Sequence, residues 1–591
     1  MLTDALTRFL SSDARDECCR LRASIALHAP DQQRYKVRLS LSTAALKSCQ
    51  RSISRQTSRC IATQVNMSVH KRVDLTDIIG KYGPFQRTTF VFAAAISIFG
   101  AYQTFILIVV APDMDHWCAR TEPYKDMPVQ KWKAMAVPAV TADRYSRCEM
   151  WDLDKRDNKT RTKCVSWEYD NDFYGSTIVE RWNLVCSDQW LVSLTQSVFM
   201  AGCMTSIIIF GQLADRIGRR TVICIALTIL LVAGFAALLA KSFLMFVIIR
   251  YFISFGGSGV GSTSFILMME VIGPSLRSPL GLAYEFGWAI GYLLLAIVAY
   301  FARDWFYIHL VAVIGPTVLG VAYWILPESP RWLLASGKLD KAKNVIMQAV
   351  KRNALDNVEA EKKLEELLTE FKKGPQDVCE GKATFIDLVR KPVLRKRTLI
   401  LCGCWYVASF TYFATSLSTS DLAGDPFLNF AVAGAVEFPA YAFSILAVQK
   451  TGRRKSQSLS MILAGAACGL SIPFTGDLSW LKTSFAMLGK FLITASFGIL
   501  YVYTAEIYPT LVRNVGVGTC SIVSLTAAIV APFLRELGTA TNKSVPYGLC
   551  CALCIFSGLS ALYLPETTGV QLTDTLEEGE TFQVETAAAA S

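Results

Sequence analysis

The sequence predicts an all-α membrane protein with twelve transmembrane helices in two six-helix halves, and three observations lead to that prediction. Hydrophobic residues make up 52% of the 591 residues and charged residues only 18%, whereas soluble domains contain about 25% charged residues. Apolar runs of about 20 residues, the length that crosses a bilayer, recur from residue 89 onward. Two pairs of short motifs recur at almost the same separation along the chain, which indicates duplicated halves.

The distribution of charge supports a membrane protein and argues against nucleic-acid binding. The net charge is +11, but the basic residues cluster in short links between apolar runs and form no stripe with aromatic partners. The lipid bilayer is therefore a predicted partner. The scattered histidines and the lack of any nucleophile–base set predict no metal site, no cofactor and no enzyme activity.

Residues 1–84 are expected to be a cytoplasmic N-terminal extension. The first 66 residues are rich in Arg and Ser and show no periodicity, so we expect them to be disordered. An organelle transit peptide is disfavoured by Asp13, Asp16 and Glu17. Met67 offers an alternative start of translation.

The apolar runs define the predicted spans, of which 457–474 is short and contains Gly and Pro. The twelve ranges are 89–112, 190–211, 221–240, 243–266, 280–301, 305–326, 398–418, 428–448, 457–474, 484–504, 515–534 and 547–564. They divide the chain into an N-terminal half (85–326), which includes an outer loop (113–188), a linker (327–396), a C-terminal half (397–566) and a tail (567–591). The linker has apolar residues on single helix faces, which predicts amphipathic helices or, alternatively, a solvated charged segment.

Orientation follows from the links between spans. The links "DRIGRR", "PSLRS", "KTGRRKS" and "LVRN" carry nearly all the excess positive charge, so these links and both termini are predicted to be cytoplasmic. The protein itself is predicted to lie in the plasma membrane. In this topology the sequons at Asn158 and Asn542 lie outside, as glycosylation requires. The outer loop also contains Cys118, Cys148, Cys164 and Cys186. An oxidising compartment favours two disulfides among them, with three possible connectivities.

The stretch "GQLADRIGRR" (residues 211–220) raises the question of a phosphate-binding loop. It joins two apolar runs, and "QKTGRRK" repeats it in the second half; likewise "PESPRWLL" after span six is repeated as "PETTG" after span twelve. Both features indicate a structural turn between membrane helices. The glycines after Arg250 in span four lack the preceding strand and the Gly-Lys-Ser/Thr of a phosphate loop, so we expect close helix packing there and an ion pair between Arg250 and a carboxylate.

These motifs resemble the major facilitator superfamily, and residues 70–580 most closely resemble its organic cation/carnitine transporter branch. The matching strings include "ERWNLVCSDQW", "PESPRWLL", "VEFPAYA", "GKFLITASFGILYVYTAEIYPTLVRNVGVG" and "LPETTG". Sugar transporters share the loop and Pro-Glu-Ser-Pro-Arg motifs but lack the cysteine-containing outer loop. The resemblance implies the major facilitator fold and transport of small organic ions. In this family a residue midway along span eleven helps to sort substrates by charge, being acidic in cation transporters and basic in anion and carnitine transporters. Here the uncharged Leu525 occupies that position, so the resemblance does not determine the charge of the substrate.

The resemblance also implies that residues of the repeated motifs act in gating. These are Gly211, Asp215, Arg216, Gly218, Arg219, Arg220, Glu328, Arg331 and Arg453. We expect Asp215 to latch neighbouring helix ends in one state of the cycle. Glu270 with Arg277, and Glu506 with Arg513, occupy matched places in the two halves and are predicted to form inner-gate ion pairs.

Ionisable residues at mid-membrane are costly and predict a substrate site. Glu437 in span eight and Glu285 in span five each have aromatic residues on the same helix face, an arrangement that suits a quaternary ammonium. The other candidate substrate-binding residues are Tyr441, Trp288, Tyr292, Tyr406, Phe410, Lys490, Phe497, Tyr501 and Leu525. Three alternatives stay open: the aromatic residues serve packing, Lys490 extends to the membrane interface, and Glu285 pairs with an arginine at a helix end.

The sequence therefore predicts a secondary transporter of the plasma membrane that moves small organic cations or zwitterions by alternating access. Glu437 and Glu285 would face the positive charge, and Lys490 would meet a carboxylate. The alternatives are an organic anion exchanger that depends on Lys490 and a transport-inactive receptor or scaffold.

Overall fold

The computed structural model describes residues 75–568, apart from 123, 142–143, 154–159, 172, 373–384, 420–421, 423, 475–477, 510–511 and 543. The predicted N-terminal extension up to residue 74, the sequon residue Asn158 and the tail beyond 568 lie outside the described residues. The other sequon residue, Asn542, is exposed.

The N-terminal half is built from long helices, most of which begin at a proline or a side-chain cap. Their bounds are α1 (Leu75–Ile79), α2 (Pro84–Val110), α3 (Val129–Ala136), α4 (Ile178–Trp182), α5 (Trp190–Ile217), α6 (Arg219–Leu238), α7 (Phe243–Val271), α8 (Pro274–Ala302), α9 (Trp305–Val318) and α10 (Ala322–Ile325). Ser242 caps α7 and Asp304 caps α9, since each side chain accepts a backbone N–H of the first turn.

The linker and the C-terminal half follow. The linker helices are α11 (Pro330–Ala335), α12 (Leu339–Arg352), α13 (Asn357–Lys372) and α14 (Phe385–Arg390). The remaining helices are α15 (Pro392–Leu417), α16 (Pro426–Ala435), α17 (Glu437–Thr451), α18 (Arg453–Leu470), α19 (Ser479–Ile507), α20 (Arg513–Val530), α21 (Phe533–Ala540) and α22 (Val545–Ala561).

Ten helical segments of the described chain are long and apolar enough to cross a membrane. They match ten of the predicted ranges, and the bounds differ mainly because helices extend past the apolar run into polar ends. The predicted spans 457–474 and 547–564 correspond to α18 and α22, which fall short of that standard. Helix α18 begins with Arg453, Arg454 and Lys455, and α22 has 17 residues.

Arg250 lies at the centre of the N-terminal half without the carboxylate partner that we expected. Its guanidinium donates to the backbone and side-chain oxygens of Gln103 at 3.1–3.3 Å and lies 4.3 Å from the centroid of the Phe199 ring. No ion pair of Arg250 occurs among the described residues. Carbonyl dipoles and an aromatic face thus take the place of a counter-ion, so that prediction was wrong.

The segment between α2 and α5 folds into a small disulfide-bonded unit. Three antiparallel two-stranded sheets form it: β1 (His116–Cys118) pairs with β6 (Trp167–Tyr169), β2 (Ala139–Thr141) with β3 (Arg144–Tyr145), and β4 (Glu149–Trp151) with β5 (Arg161–Lys163). Disulfides join Cys118 to Cys164 and Cys148 to Cys186, which resolves the connectivity that the sequence left open. We call this end of the molecule the loop side and the opposite end, which carries Gly218 and Gly452, the motif side.

A buried cluster of Trp117, Trp132, Ala136 and Val137 forms the core of this unit. Glu168 anchors one edge because it accepts the indole N–H of Trp117 and both the backbone N–H and the guanidinium of Arg120. Burial alone would raise the pKa of Glu168, but these hydrogen bonds outweigh it and hold that pKa below its ordinary value.

The linker forms amphipathic helices, as one of the two open alternatives predicted. Helix α12 buries Ala342, Ile346, Ala349 and Val350. Just beyond α12, the Asn353 side chain accepts the backbone N–H of Phe85 at 3.0 Å and donates to the carbonyl oxygen of Ile79 at 2.7 Å. These bonds tie the linker to the first turn of α2.

We expect the double variant Cys118→Ser/Cys164→Ser to lower the thermal melting temperature of the detergent-solubilised protein. Loss of a native disulfide from a small unit costs about 2–5 kcal/mol, and this bridge links β1 to the segment before β6. Cys224→Ser is the matched control, since Cys224 is a free cysteine of α6. Equal melting temperatures for the double variant and the control would contradict the stabilising role of this disulfide.

Candidate functional site

The motif "GQLADRIGRR" forms a tight turn between α5 and α6. Gly218 has φ +109°, a conformation that side-chain-bearing residues rarely adopt. This turn directs the first backbone N–H groups of α6, those of Arg219 and Arg220, at the Glu328 carboxylate, at 2.8 and 3.1 Å. The Arg219 guanidinium reaches Glu270 on α7 at 3.0 Å. A carboxylate at the start of a helix is favoured by the helix dipole.

The C-terminal half repeats this arrangement residue for residue. Gly452 has φ +84°, the backbone N–H groups of Arg453 and Arg454 donate to Glu566 at 2.8 and 3.2 Å, and Arg453 pairs with Glu506 at 2.9 Å. Burial alone would raise the pKa of Glu566, but hydrogen bonds from the Thr568 hydroxyl and these backbone groups hold it below its ordinary value. The duplication inferred from sequence therefore extends to side-chain contacts.

The predicted gate residues are only partly brought together. Glu270 and Glu506 pair with the motif arginines Arg219 and Arg453, a partnership that the sequence analysis did not predict. Arg277 donates to the backbone oxygen of Ile272. Arg513 lies at the first turn of α20. Of the remaining motif residues, Gly211 and Arg216 lie on α5 and Arg331 lies on α11.

Asp215 lies on the exposed surface of the turn. Its carboxylate accepts from Arg219 at 2.9 Å, and its backbone oxygen accepts the indole N–H of Trp332 on α11 at 2.8 Å. In this state Asp215 therefore links the turn to the linker, and its predicted latching of helix ends stays a prediction.

Glu437 lies beside a proline in the predicted span eight. Pro439 has no N–H to donate to the carbonyl of residue 435, so one hydrogen bond of the helix is missing, but Val436 keeps helical dihedral angles (φ −62°, ψ −23°) and α16 and α17 continue as one span, Pro426–Thr451. Gly434, one turn before Glu437, lies against the Tyr292 ring of α8, where an added Cβ would approach a ring carbon to 2.7 Å. This close approach brings α8 against the helix that carries Glu437.

Glu437 forms a buried ion pair with Lys490 of α19. The Lys490 ammonium lies 3.0 Å from one Glu437 carboxylate oxygen, and the two side chains are 2% and 0% exposed. The same oxygen accepts the Tyr412 hydroxyl at 2.7 Å. Lys490 also donates to the Ser416 hydroxyl. Lys490 therefore does not extend to the interface, so that alternative was wrong.

Aromatic rings from both halves surround this ion pair. The Lys490 ammonium lies 4.0 Å from the Tyr412 ring centroid, 5.0 Å from that of Tyr292 and 5.7 Å from that of Phe105. The Trp288 indole N–H donates to the Tyr412 hydroxyl at 3.0 Å. Since Phe105, Trp288 and Tyr292 lie on α2 and α8 while Tyr412 lies on α15, the pair is enclosed at the contact between the two halves.

The other predicted site residues lie around this centre at varying distances. Glu285 is half-buried on α8 and interacts electrostatically with Glu437; no ion pair of Glu285 occurs in the described part of the chain, so its alternative pairing with an arginine finds no support. Tyr441 is buried and contacts the Phe286 ring. Phe497 and Tyr501 on α19 pack on Trp405 at 5.3 and 4.6 Å.

Three further residues that were predicted to bind substrate, Tyr406, Phe410 and Leu525, lie in or beside packed regions of the C-terminal half. Phe410 is buried in a core cluster with Ala527, Ala531 and Leu534, against which Tyr406 packs. Leu525 is half-buried on α20, beside Ser524, whose backbone oxygen accepts from Ser409 of α15.

Sequence reasoning missed Tyr412, Ser416 and Phe105. Ser416 follows Tyr412 by one helical turn and accepts from Lys490, whereas Phe105 approaches from the other half. The available signal was the Tyr412-to-Ser416 spacing, which places two polar groups on one face of an apolar helix. The sequence analysis chose the face that carries Tyr406 and Phe410 instead.

The two halves are also in contact on the loop side. Ser197 of α5 donates to the Ile529 carbonyl at 2.6 Å, and Ser193 donates to Glu536 at 2.9 Å. Arg535 of α21 lies 3.7 Å from Asp113 at the end of α2. A cavity of about 50 Å³ adjoins these contacts, and Ser193, Gln196 and Arg535 are among the residues that line it. The two halves are therefore joined on the loop side by hydrogen bonds and an ion pair.

We expect Glu566→Gln to lower the free energy of unfolding by about 1 kcal/mol, because a neutral amide accepts the N–H groups at the start of α18 more weakly. Since the pKa of Glu566 is lowered on folding, its contribution is complete above the ordinary glutamate pKa and is lost as the pH falls through the folded value. Thermal unfolding at neutral and acidic pH measures both effects. Glu365→Gln, on the exposed face of α13, is the control; equal losses in the two variants would contradict this role.

Comparison with known proteins identifies the family. The protein-family model described as "Sugar (and other) transporter" matches residues 136–578. A Drosophila melanogaster protein named organic cation transporter protein is 32% identical over 527 residues, covering 86% of this chain and 94% of the relative. The human organic cation/carnitine transporter 2 is 33% identical over 532 residues, covering 85% and 93%.

The fold is likewise that of known transporters. The inward-open xylose transporter XylE from E. coli superimposes with a TM-score of 0.56 at 17% identity, covering 84% of this chain and 100% of that one. Because the family model covers most of the residues and the relatives align over nearly their whole length, this chain belongs to the sugar and other transporter family of the major facilitator superfamily.

Proposed function

We propose that this protein is a secondary transporter that moves small organic cations or zwitterions across the plasma membrane by alternating access. The observation that carries the proposal is Glu437, a carboxylate with no exposed surface, enclosed where the two halves meet. A buried carboxylate in a membrane protein is retained where a charge must be bound.

The surroundings of Glu437 suit an organic ammonium. Three aromatic rings already face a cation here, since the Lys490 ammonium lies 4.0–5.7 Å from their centroids. A quaternary ammonium cannot donate a hydrogen bond and is held by charge and by such ring faces. The names of the relatives, organic cation transporter and organic cation/carnitine transporter, agree with this chemistry.

The presence of Lys490 adds a place for a carboxylate. A zwitterion whose ammonium faces Glu437 and whose carboxylate faces Lys490 would leave both charges paired, which a buried site requires. An organic anion is the second candidate because Lys490 would attract it. It is less favoured, since the anion would lie beside the Glu437 carboxylate.

The topology that we propose has twelve transmembrane helices, with α18 and α22 as spans nine and twelve. The loop side is extracellular, since it holds two disulfides, and the motif side and both termini are cytoplasmic, since the basic links lie there. The halves are residues 85–326 and 397–566, joined by the linker 327–396. Contacts on the loop side would break as the site opens outward, whereas the ion pairs on the motif side, which lie within each half, would persist.

Uptake of a radiolabelled quaternary ammonium compound, a betaine-type zwitterion and an aromatic carboxylate tests this function in cells that lack endogenous transport. We expect uptake of the first two, reduced at least tenfold in Glu437→Gln, because a neutral amide does not offset a buried cation. Glu359→Gln, on the exposed face of α13, is the matched control.

Two outcomes would contradict the proposal. Uptake of the carboxylate alone, lost in Lys490→Ala, would show an organic anion exchanger. No uptake of any compound by protein that reaches the cell surface would favour a receptor or scaffold.

We expect Tyr412→Phe to raise the KM for the quaternary ammonium at least tenfold, because a hydrogen bond to a charged group contributes about 1.5–3 kcal/mol and about 1.4 kcal/mol is a factor of ten. The substitution keeps the ring and removes only the hydroxyl that donates to Glu437. Tyr406→Phe serves as the control on the same helix. A KM that changes equally in both variants would show that the Tyr412 hydroxyl does not act on the bound cation.

A further inference from the structure

Lys490 occupies the place that the ammonium of a substrate would take. We propose that Lys490 is a tethered counter-ion, which neutralises Glu437 in the empty transporter and moves aside when a substrate ammonium binds. The inference rests on the proposed function and adds to it a mechanism for the return of the empty transporter.

The geometry of the pair supports an exchange of partners. Lys490 contacts only one carboxylate oxygen of Glu437, at 3.0 Å. The other oxygen, Oε2, is buried without a hydrogen-bond partner among the described residues. Oε2 is therefore the oxygen left for a substrate ammonium once the site opens, while Lys490 still occupies the other, so that the carboxylate keeps a cation throughout the exchange.

The displaced lysine keeps a favourable contact. Its ammonium already donates to the Ser416 hydroxyl, which it can keep while the substrate ammonium takes its place against the rings of Tyr412 and Tyr292. The hydroxyl accepts from a cation without depending on Glu437. This contact also explains why the chain uses a flexible lysine, whose single point charge on a four-carbon stem can shift between neighbouring acceptors.

The pair has a consequence for the transport cycle. A transporter whose empty site held a bare carboxylate would reorient slowly, because the conformational change would carry an uncompensated buried charge. With Lys490 on Glu437 the empty site is paired in both orientations. The protein therefore returns without substrate and supports net transport as well as exchange.

The first test measures efflux from preloaded proteoliposomes of the full-length protein, with radiolabelled tetraethylammonium as the probe. Efflux into a medium with saturating unlabelled probe is divided by efflux into a probe-free medium. We expect a ratio within about twofold of one for the natural protein, since return of the empty transporter does not limit the cycle. A ratio of ten or more would overturn the inference while leaving the proposed transport intact, whereas no efflux at all would contradict the proposed function itself.

The second test compares variants in the same vesicles. We expect Lys490→Gln to raise the ratio about tenfold, because exchange continues while net efflux slows. Lys490→Arg keeps the charge, so the ratio should stay low even where KM changes. Lys363→Gln, on the exposed face of α13, controls for loss of a lysine elsewhere.

The exchange rate itself shows whether Lys490→Gln folds and binds the probe. If that variant gives no exchange, the ratio of the natural protein decides alone. Equal ratios in the natural protein and in a Lys490→Gln variant that exchanges would overturn the inference. Restoration of a low ratio in the double variant Glu437→Gln/Lys490→Gln, with a weaker affinity for the probe, would support it, because no charge is then left to neutralise.

Discussion

The buried ion pair between Glu437 and Lys490 is the interaction on which the centre of this transporter depends. Removing either charge would leave the other uncompensated in a medium of low polarity, a change that typically costs several kcal/mol. The surrounding structure serves this pair: Tyr412 donates to the same carboxylate oxygen, Trp288 of the other half donates to Tyr412, and Ser416 accepts from the lysine.

The second organising feature is the repeated turn on the motif side. In each half a glycine with positive φ turns the chain, a carboxylate accepts the first N–H groups of the next helix, and an arginine reaches a neighbouring helix. Each half is thereby a rigid unit at this end. Rigid halves confine the conformational change to the contacts between them, which include Trp288 to Tyr412 and Ser197 to Ile529.

Motion between the halves would act directly on the ion pair, because its enclosure comes from both of them. Trp288 and Tyr292 belong to the N-terminal half, whereas Glu437, Lys490 and Tyr412 belong to the other. Separation of the halves would open the aromatic enclosure on one side. In the proposed cycle, binding of a charged substrate and reorientation would therefore act on the same few side chains.

The sequence by itself indicated ten of the apolar helices, the family, and Glu437 and Lys490 as charged residues within apolar runs, because apolar length, loop charge and the cost of buried charge are local properties. It also indicated the duplication through Gly218 and Gly452. Only the tertiary structure decided that Lys490 faces Glu437, that Arg250 rests on Gln103 and Phe199, that Tyr412 and Phe105 join the site, and which cysteines pair. These contacts join residues far apart in the chain, and helical periodicity shows which residues share a face but does not show which helix that face meets.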